Sequence, residues 1–98
     1  MDRNSNNLKD VLEIFKVVQK IENDVELESY FKELLTESEI ETLSKRWRIL
    51  NMLKNGVSQR AITKELQVSL CKVTRGAKIL KNSDSVLMKY LIKEKNNE

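Results

Sequence analysis

Ninety-eight residues carry 18 Lys or Arg against 15 Asp or Glu, with no His, no Pro, two Gly and a single Cys, for a net charge of +3. Without His and with one Cys, the sequence lacks the donor sets of most zinc sites, the dyads of Cys–His and Ser–His catalysis, and any intrachain disulfide, so neither a metal site nor an enzyme is expected. A lone thiol fits a reducing compartment. Neither the opening MDRNSNN nor any later run has the apolar length of a signal peptide or a membrane span. A soluble, cytoplasmic protein of one domain with no membrane partner is expected.

With Gly and Pro scarce, hairpin turns are disfavoured, and the abundance of Leu, Lys and Glu suits helices. Apolar periodicity supports an all-α fold of six helices. Over residues 8–21, Leu8, Val11, Leu12, Phe15 and Val18 share one helical face, and Ile14, Val17 and Ile21 widen it beyond the ~100° that one core contact needs. Such a helix is either the centre of a small bundle or packed against a second copy of the chain.

Asp24 is a candidate N-cap for a second helix carrying Val25, Leu27, Tyr30, Phe31 and Leu34. Thr36 followed by Glu39 matches the capping box and opens a third, with Ile40, Leu43, Trp47, Leu50 and Leu53 as its apolar positions. Trp47 on that stripe reads as core. Asn55-Gly56 is the stop, glycine supplying a left-handed residue. Ser58 caps a helix over 59–66 with Ala61, Ile62 and Leu66 inward, and Gln67-Val68-Ser69 forms a tight turn. Ser69 then caps a helix over 70–81, and Ser83 or Asp84 opens the last one, carrying Val86, Leu87, Tyr90 and Leu91.

The net charge conceals a division. Residues 1–40 hold five basic and ten acidic side chains, whereas Thr42 to Lys81 hold ten Lys or Arg against one acid, Glu65. Solvated helix faces normally mix signs. A block of +9 points to an anionic partner, and double-stranded DNA is the foremost, because neutralising phosphates releases counterions. The same block holds two helices joined by a three-residue turn, the spacing of a helix–turn–helix. Ile62, Leu66, Val68 and Val73 would set the crossing of those helices, leaving Leu70, Cys71, Lys72 and Thr74 toward the major groove. The turn position that often carries glycine is Gln67, and a left-handed residue there would cost on the order of 1 kcal/mol. A helical protein-interaction module with a basic face is the alternative of another class.

Leu35-Thr36, Arg46-Trp47-Arg48-Ile49, Ser58-Gln59-Arg60 and Thr74-Arg75-Gly76 occur in the order and nearly the spacing of the tryptophan operon repressor family, which the chain resembles from about Leu34 to Lys81. The resemblance implies an intertwined six-helix homodimer: dimerisation helices over 1–55, a helix–turn–helix over 58–81 and a C-terminal helix over 83–95. It implies a repressor that binds operator DNA when the corepressor L-tryptophan occupies a pocket beside the reading helix. Arg46 and Arg75 would sandwich the indole, since guanidinium planes stack on aromatic faces. Arg75 would also bind the ligand carboxylate, while Thr36 and the Leu35 carbonyl would receive its ammonium and Gly76 would leave room for the ring.

On the DNA side, Arg60 matches a base-contacting arginine of that family. Gln59, Lys54, Lys64 and Lys78 are the phosphate candidates. Leu70, Cys71 and Thr74 occupy the groove-facing positions, and Lys72 adds charge to the reading helix. Ile79 stands where the family has a pocket serine, and Ala77 and Lys78 replace its usual Ser and Asn. The alternative within the superfamily is a regulator with no ligand or a different one. Cys71, with no resolving cysteine, reads as a small groove-facing side chain rather than a redox switch.

Overall fold

A computed structural model describes residues 3–91, and side chains from residue 6 onward. Among the described residues there are six helices and no strand: α1 (Arg3–Lys20), α2 (Asp24–Leu34), α3 (Glu37–Lys54), α4 (Gln59–Leu66), α5 (Leu70–Lys81) and α6 (Leu87–Tyr90). The all-helical expectation holds. None of the helices is long and apolar enough to cross a membrane.

The chain falls into two compact units, one ending at Glu37 and one beginning at Ser38. In the first, α1 starts earlier than its apolar periodicity requires, at Arg3. The cap of α2 is Asn23 and not Asp24: the Asn23 Oδ1 accepts from the Glu26 N–H at 2.7 Å, and Asp24 becomes the first helical residue. Asn and Asp are near-equal capping residues, so composition alone could not choose between neighbours. No side chain between residues 6 and 37 is buried. Leu8, Leu12 and Phe15 are each at least half exposed.

The core lies in the second unit. Ile49, Ile62, Leu66 and Val73 form it, and Met52, Leu53, Val57 and Val68 pack around them. Ile62 and Val73 are fully enclosed, so one residue from each of α4 and α5 fixes how those helices meet α3. The apolar stripe expected on α3 is buried only in its second half. Ile40, Leu43 and Trp47 remain exposed, Trp47 at 38%, which corrects its reading as core. Ala61 is also exposed, leaving Ile62 and Leu66 as the inward residues of α4.

The connections follow their local chemistry. Gly56 adopts φ +86°, its N–H bonding the Leu53 carbonyl while the Val57 N–H reaches the Met52 carbonyl. This paired pattern is the Schellman arrangement that ends helices at a left-handed glycine. Ser58 and Ser69 cap α4 and α5 as expected, accepting from the Ala61 and Lys72 N–H groups. Gln67 takes the left-handed conformation between them, at φ 55° and ψ 50°. The last helix starts at Leu87, not at Ser83 or Asp84. Asn82 instead draws the Asp84 N–H onto its own side chain at 2.9 Å, an Asx turn that competes with helix initiation. The expected continuation of that helix to residue 95 lies outside the described residues.

Candidate functional site

The sides of α5 divide the candidate site residues. Helical spacing sends Lys72, Val73 and Gly76 toward α3, and Leu70, Cys71, Thr74 and Lys78 away from it. On the α3 side, Arg46, Ile49 and Leu50 of α3 and Lys72, Arg75 and Gly76 of α5 line one cleft of about 60 Å³. The two arginines and the glycine singled out in the sequence are thus brought together across a helix–helix seam. Its floor is apolar, from Ile49 and Leu50, and its three charged side chains are all cationic.

Gly76 owes its place to packing. A Cβ built there would lie 3.2 Å from Leu53 Cδ1, 3.3 Å from Ile49 Cγ2 and 3.4 Å from Leu50 Cδ2. The absent side chain therefore lets α5 approach α3 closely, and the space it leaves is already occupied by α3 side chains. A second cleft, about 200 Å³, adjoins the first along Arg46, Ile49 and Lys72 and extends to Glu41, Thr42 and the turn at Gln67. Glu41 and Lys45 pair across one turn of α3 at 3.2 Å. Arg46, Lys72 and Arg75 pair with no acid among the described residues.

The opposite side of α5 presents a wide groove of about 450 Å³ lined by Leu70, Cys71, Thr74, Arg75, Lys78 and Ile79. Arg75 borders this groove and the inner cleft, so it alone among these residues touches both faces of the helix. Gln59, Arg60, Lys64, Leu70, Cys71, Thr74 and Lys78 are all exposed. The Thr74 hydroxyl donates to the Gln59 side-chain oxygen at 3.3 Å, tying the first turn of α4 to the middle of α5.

Three positions differ from what the sequence suggested. Lys72 lines the inner clefts and not the outer groove, whereas Ile79 lines the outer groove and not the inner cleft. Lys54 turns its ammonium to the Met88 carbonyl at 2.8 Å, at the foot of α3. Leu35 and Thr36 belong to the first unit, where the Leu35 N–H closes α2 onto the Phe31 carbonyl. Sequence reasoning missed Ile49 and Leu50 as the floor of the cleft. The i, i+3 and i, i+4 spacing of Ile49 and Leu50 from Arg46 could have indicated it. No group of metal-binding side chains occurs among the described residues.

Residues 9–95 match the family model described as the Trp repressor protein. The chain belongs to the Trp repressor family. Among curated proteins, a Trp operon repressor homolog of Xylella fastidiosa strain M23 is 36% identical over 72 residues, covering 72% of this chain and 78% of the relative. A Trp operon repressor homolog of Chlamydia trachomatis serovar L2 is 32% identical over 76 residues, 76% of this chain and 81% of that protein. No solved structure gives a significant match. Membership of the Trp repressor family makes the chain a repressor-type transcriptional regulator, in a family that is regulatory and not enzymatic.

Proposed function

We propose that this Trp repressor family member is a homodimeric, sequence-specific DNA-binding repressor that uses L-tryptophan as corepressor to control tryptophan biosynthesis or transport genes. The observation that carries the reading is the position of Arg75, which borders an inner cleft with Arg46 and Gly76 and an outer groove with Thr74 and Lys78. A ligand in the cleft would bear on the same helix that meets DNA, and ligand binding becomes DNA affinity when it favours the DNA-competent tilt. The helices α4 and α5 form the helix–turn–helix of this reading. Arg60 reads a base edge, Gln59, Lys64 and Lys78 meet phosphates, and Leu70, Cys71 and Thr74 face the groove. Lys54, engaged with Met88, is the least available of the phosphate candidates.

Arg46 and Arg75 hold the indole between their guanidinium planes, and Arg75 takes the carboxylate. Leu35 and Thr36 are assigned to the ammonium group. Ile79, on the outer groove, is the weakest of the ligand assignments. The 60 Å³ cleft is smaller than an engineered apolar cavity of ~150 Å³ that admits a benzene ring. An indole would extend from this cleft into its 200 Å³ neighbour, with which it shares Arg46, Ile49 and Lys72. The exposed apolar side chains of α1 and of the first half of α3 support the dimer.

The small cleft favours one second reading, a family member that represses without tryptophan. Fluorescence anisotropy with a tryptophan-operon-like palindrome and with random DNA, each with and without L-tryptophan at two salt concentrations, separates the two. Palindrome-specific binding that strengthens with L-tryptophan supports the proposal. Specific binding indifferent to L-tryptophan selects the second reading, and binding indifferent to both sequence and ligand overturns both.

A further inference from the structure

We infer that Lys72 is a ligand-binding residue, and that it discriminates for a carboxylate on the small molecule held between α3 and α5. This inference rests on the ligand reading above and sharpens it: the negative end of the ligand is held by two cations from one helix, Lys72 and Arg75, and not by Arg75 alone.

Four observations converge on Lys72. It lines the inner cleft with Arg46 and Arg75, and it lines the adjoining cleft with Arg46, Ile49 and Val68, so it stands where the two clefts join. It is missing from the outer groove that carries Leu70, Cys71, Thr74 and Lys78, although Cys71 is its chain neighbour. No described acid pairs with it. Its backbone N–H donates to the Ser69 Oγ that caps the start of α5, a helix whose first turn contains no acidic residue. A cation in the first turn opposes the helix dipole, whose N-terminal end is itself positive, and so is locally unfavourable. That penalty is relieved when an anion arrives, because the helix terminus, the ammonium and the two guanidinium groups then all attract the same charge.

The apolar floor of Ile49 and Leu50 sets the rest of the ligand's chemistry. An apolar or aromatic body lies over the floor, and its carboxylate points toward the start of α5. An amide in place of the carboxylate would keep the shape and lose the charge, leaving three cations facing a neutral group.

Isothermal titration calorimetry in the absence of DNA tests this with L-tryptophan and L-tryptophanamide against the wild-type protein and Lys72→Met. Methionine preserves most of the length and apolar bulk of the lysine stem. The wild-type preference for the carboxylate over the amide is expected to fall by about tenfold in Lys72→Met, the loss of one charge-assisted contact, while affinity for the amide is retained. Lys72→Arg is expected to recover most of the preference. A preference unchanged by Lys72→Met overturns the inference and leaves the proposed function standing. Failure of the wild-type protein to bind L-tryptophan overturns both.

Discussion

Gly76 and Leu53 meet so closely that a methyl group on the glycine would sit 3.2 Å from Leu53 Cδ1, with Ile49 and Leu50 only a tenth or two of an ångström further away. Alanine at this helical position would gain about 1 kcal/mol in propensity. It would also press on three side chains at once, and overpacking of this kind costs about 1–3 kcal/mol. Gly76→Ala is therefore expected to lower stability by about 1 kcal/mol and to narrow the inner cleft. Urea unfolding measures the first effect, and a higher midpoint in the variant would show that α3 yields more easily than this packing implies.

Gln67 makes a second prediction because it is the described non-glycine residue at positive φ. A left-handed L-residue costs about 1–2 kcal/mol, and the extra chain entropy of glycine returns part of any relief. Gln67→Gly should stabilise the protein by about 0.5–1 kcal/mol, seen as a higher denaturant midpoint at unchanged slope. A lower midpoint would mean that the Gln67 side chain makes a contribution that its backbone strain conceals.

Phe15 lies half exposed in the middle of α1 among Leu8, Val11, Leu12 and Val17, all exposed as well. In the proposed dimer this stripe is covered by the second chain, and a carboxylate there would be buried without a partner. Wild-type protein should sediment as a dimer and Phe15→Glu as a monomer. Equal masses for the two would remove α1 from the interface.

On the proposed DNA face, Arg60 and Lys64 have different expected roles, reading and positioning. Arg60→Ala should narrow the difference between palindrome and random DNA, whereas Lys64→Ala should weaken both and reduce the salt slope by about one unit. Anisotropy titrations across a salt series give both quantities. The reverse assignment would follow if Lys64→Ala alone erased sequence preference.

Much of this architecture was legible in the sequence because its punctuation is local. Ser58, Ser69 and Gly56 act through hydrogen bonds or dihedral preferences within a few residues, and α4 and α5 occupy the spans their spacing predicts. Asn23 and Asn82 were harder: one competes with an equivalent neighbour for a cap, and the other diverts the chain into a turn. Tertiary placement was legible only in part. Arg46 and Arg75 are 29 positions apart, and it was the family resemblance, not their spacing, that linked them. Lys72 lines the inner clefts and Ile79 the outer groove, because which cleft a residue of α5 borders depends on where α3 lies, which no pattern within α5 encodes. Ile40, Leu43 and Trp47 have the periodicity of core, and periodicity does not say whether an apolar face is covered by its own chain.

The absence of any buried side chain between residues 6 and 37 has a kinetic consequence. Helices in proteins draw most of their stability from packing an apolar face, so α1 and α2 gain little by ordering alone. In the proposed dimer the ordering of this half becomes a two-body event, second order in chain. Refolding of the second unit would proceed at a rate independent of protein concentration, while the first would lag behind in dilute solution. The amount of chain in a cell would then set how much of it is competent to act, independently of any small molecule.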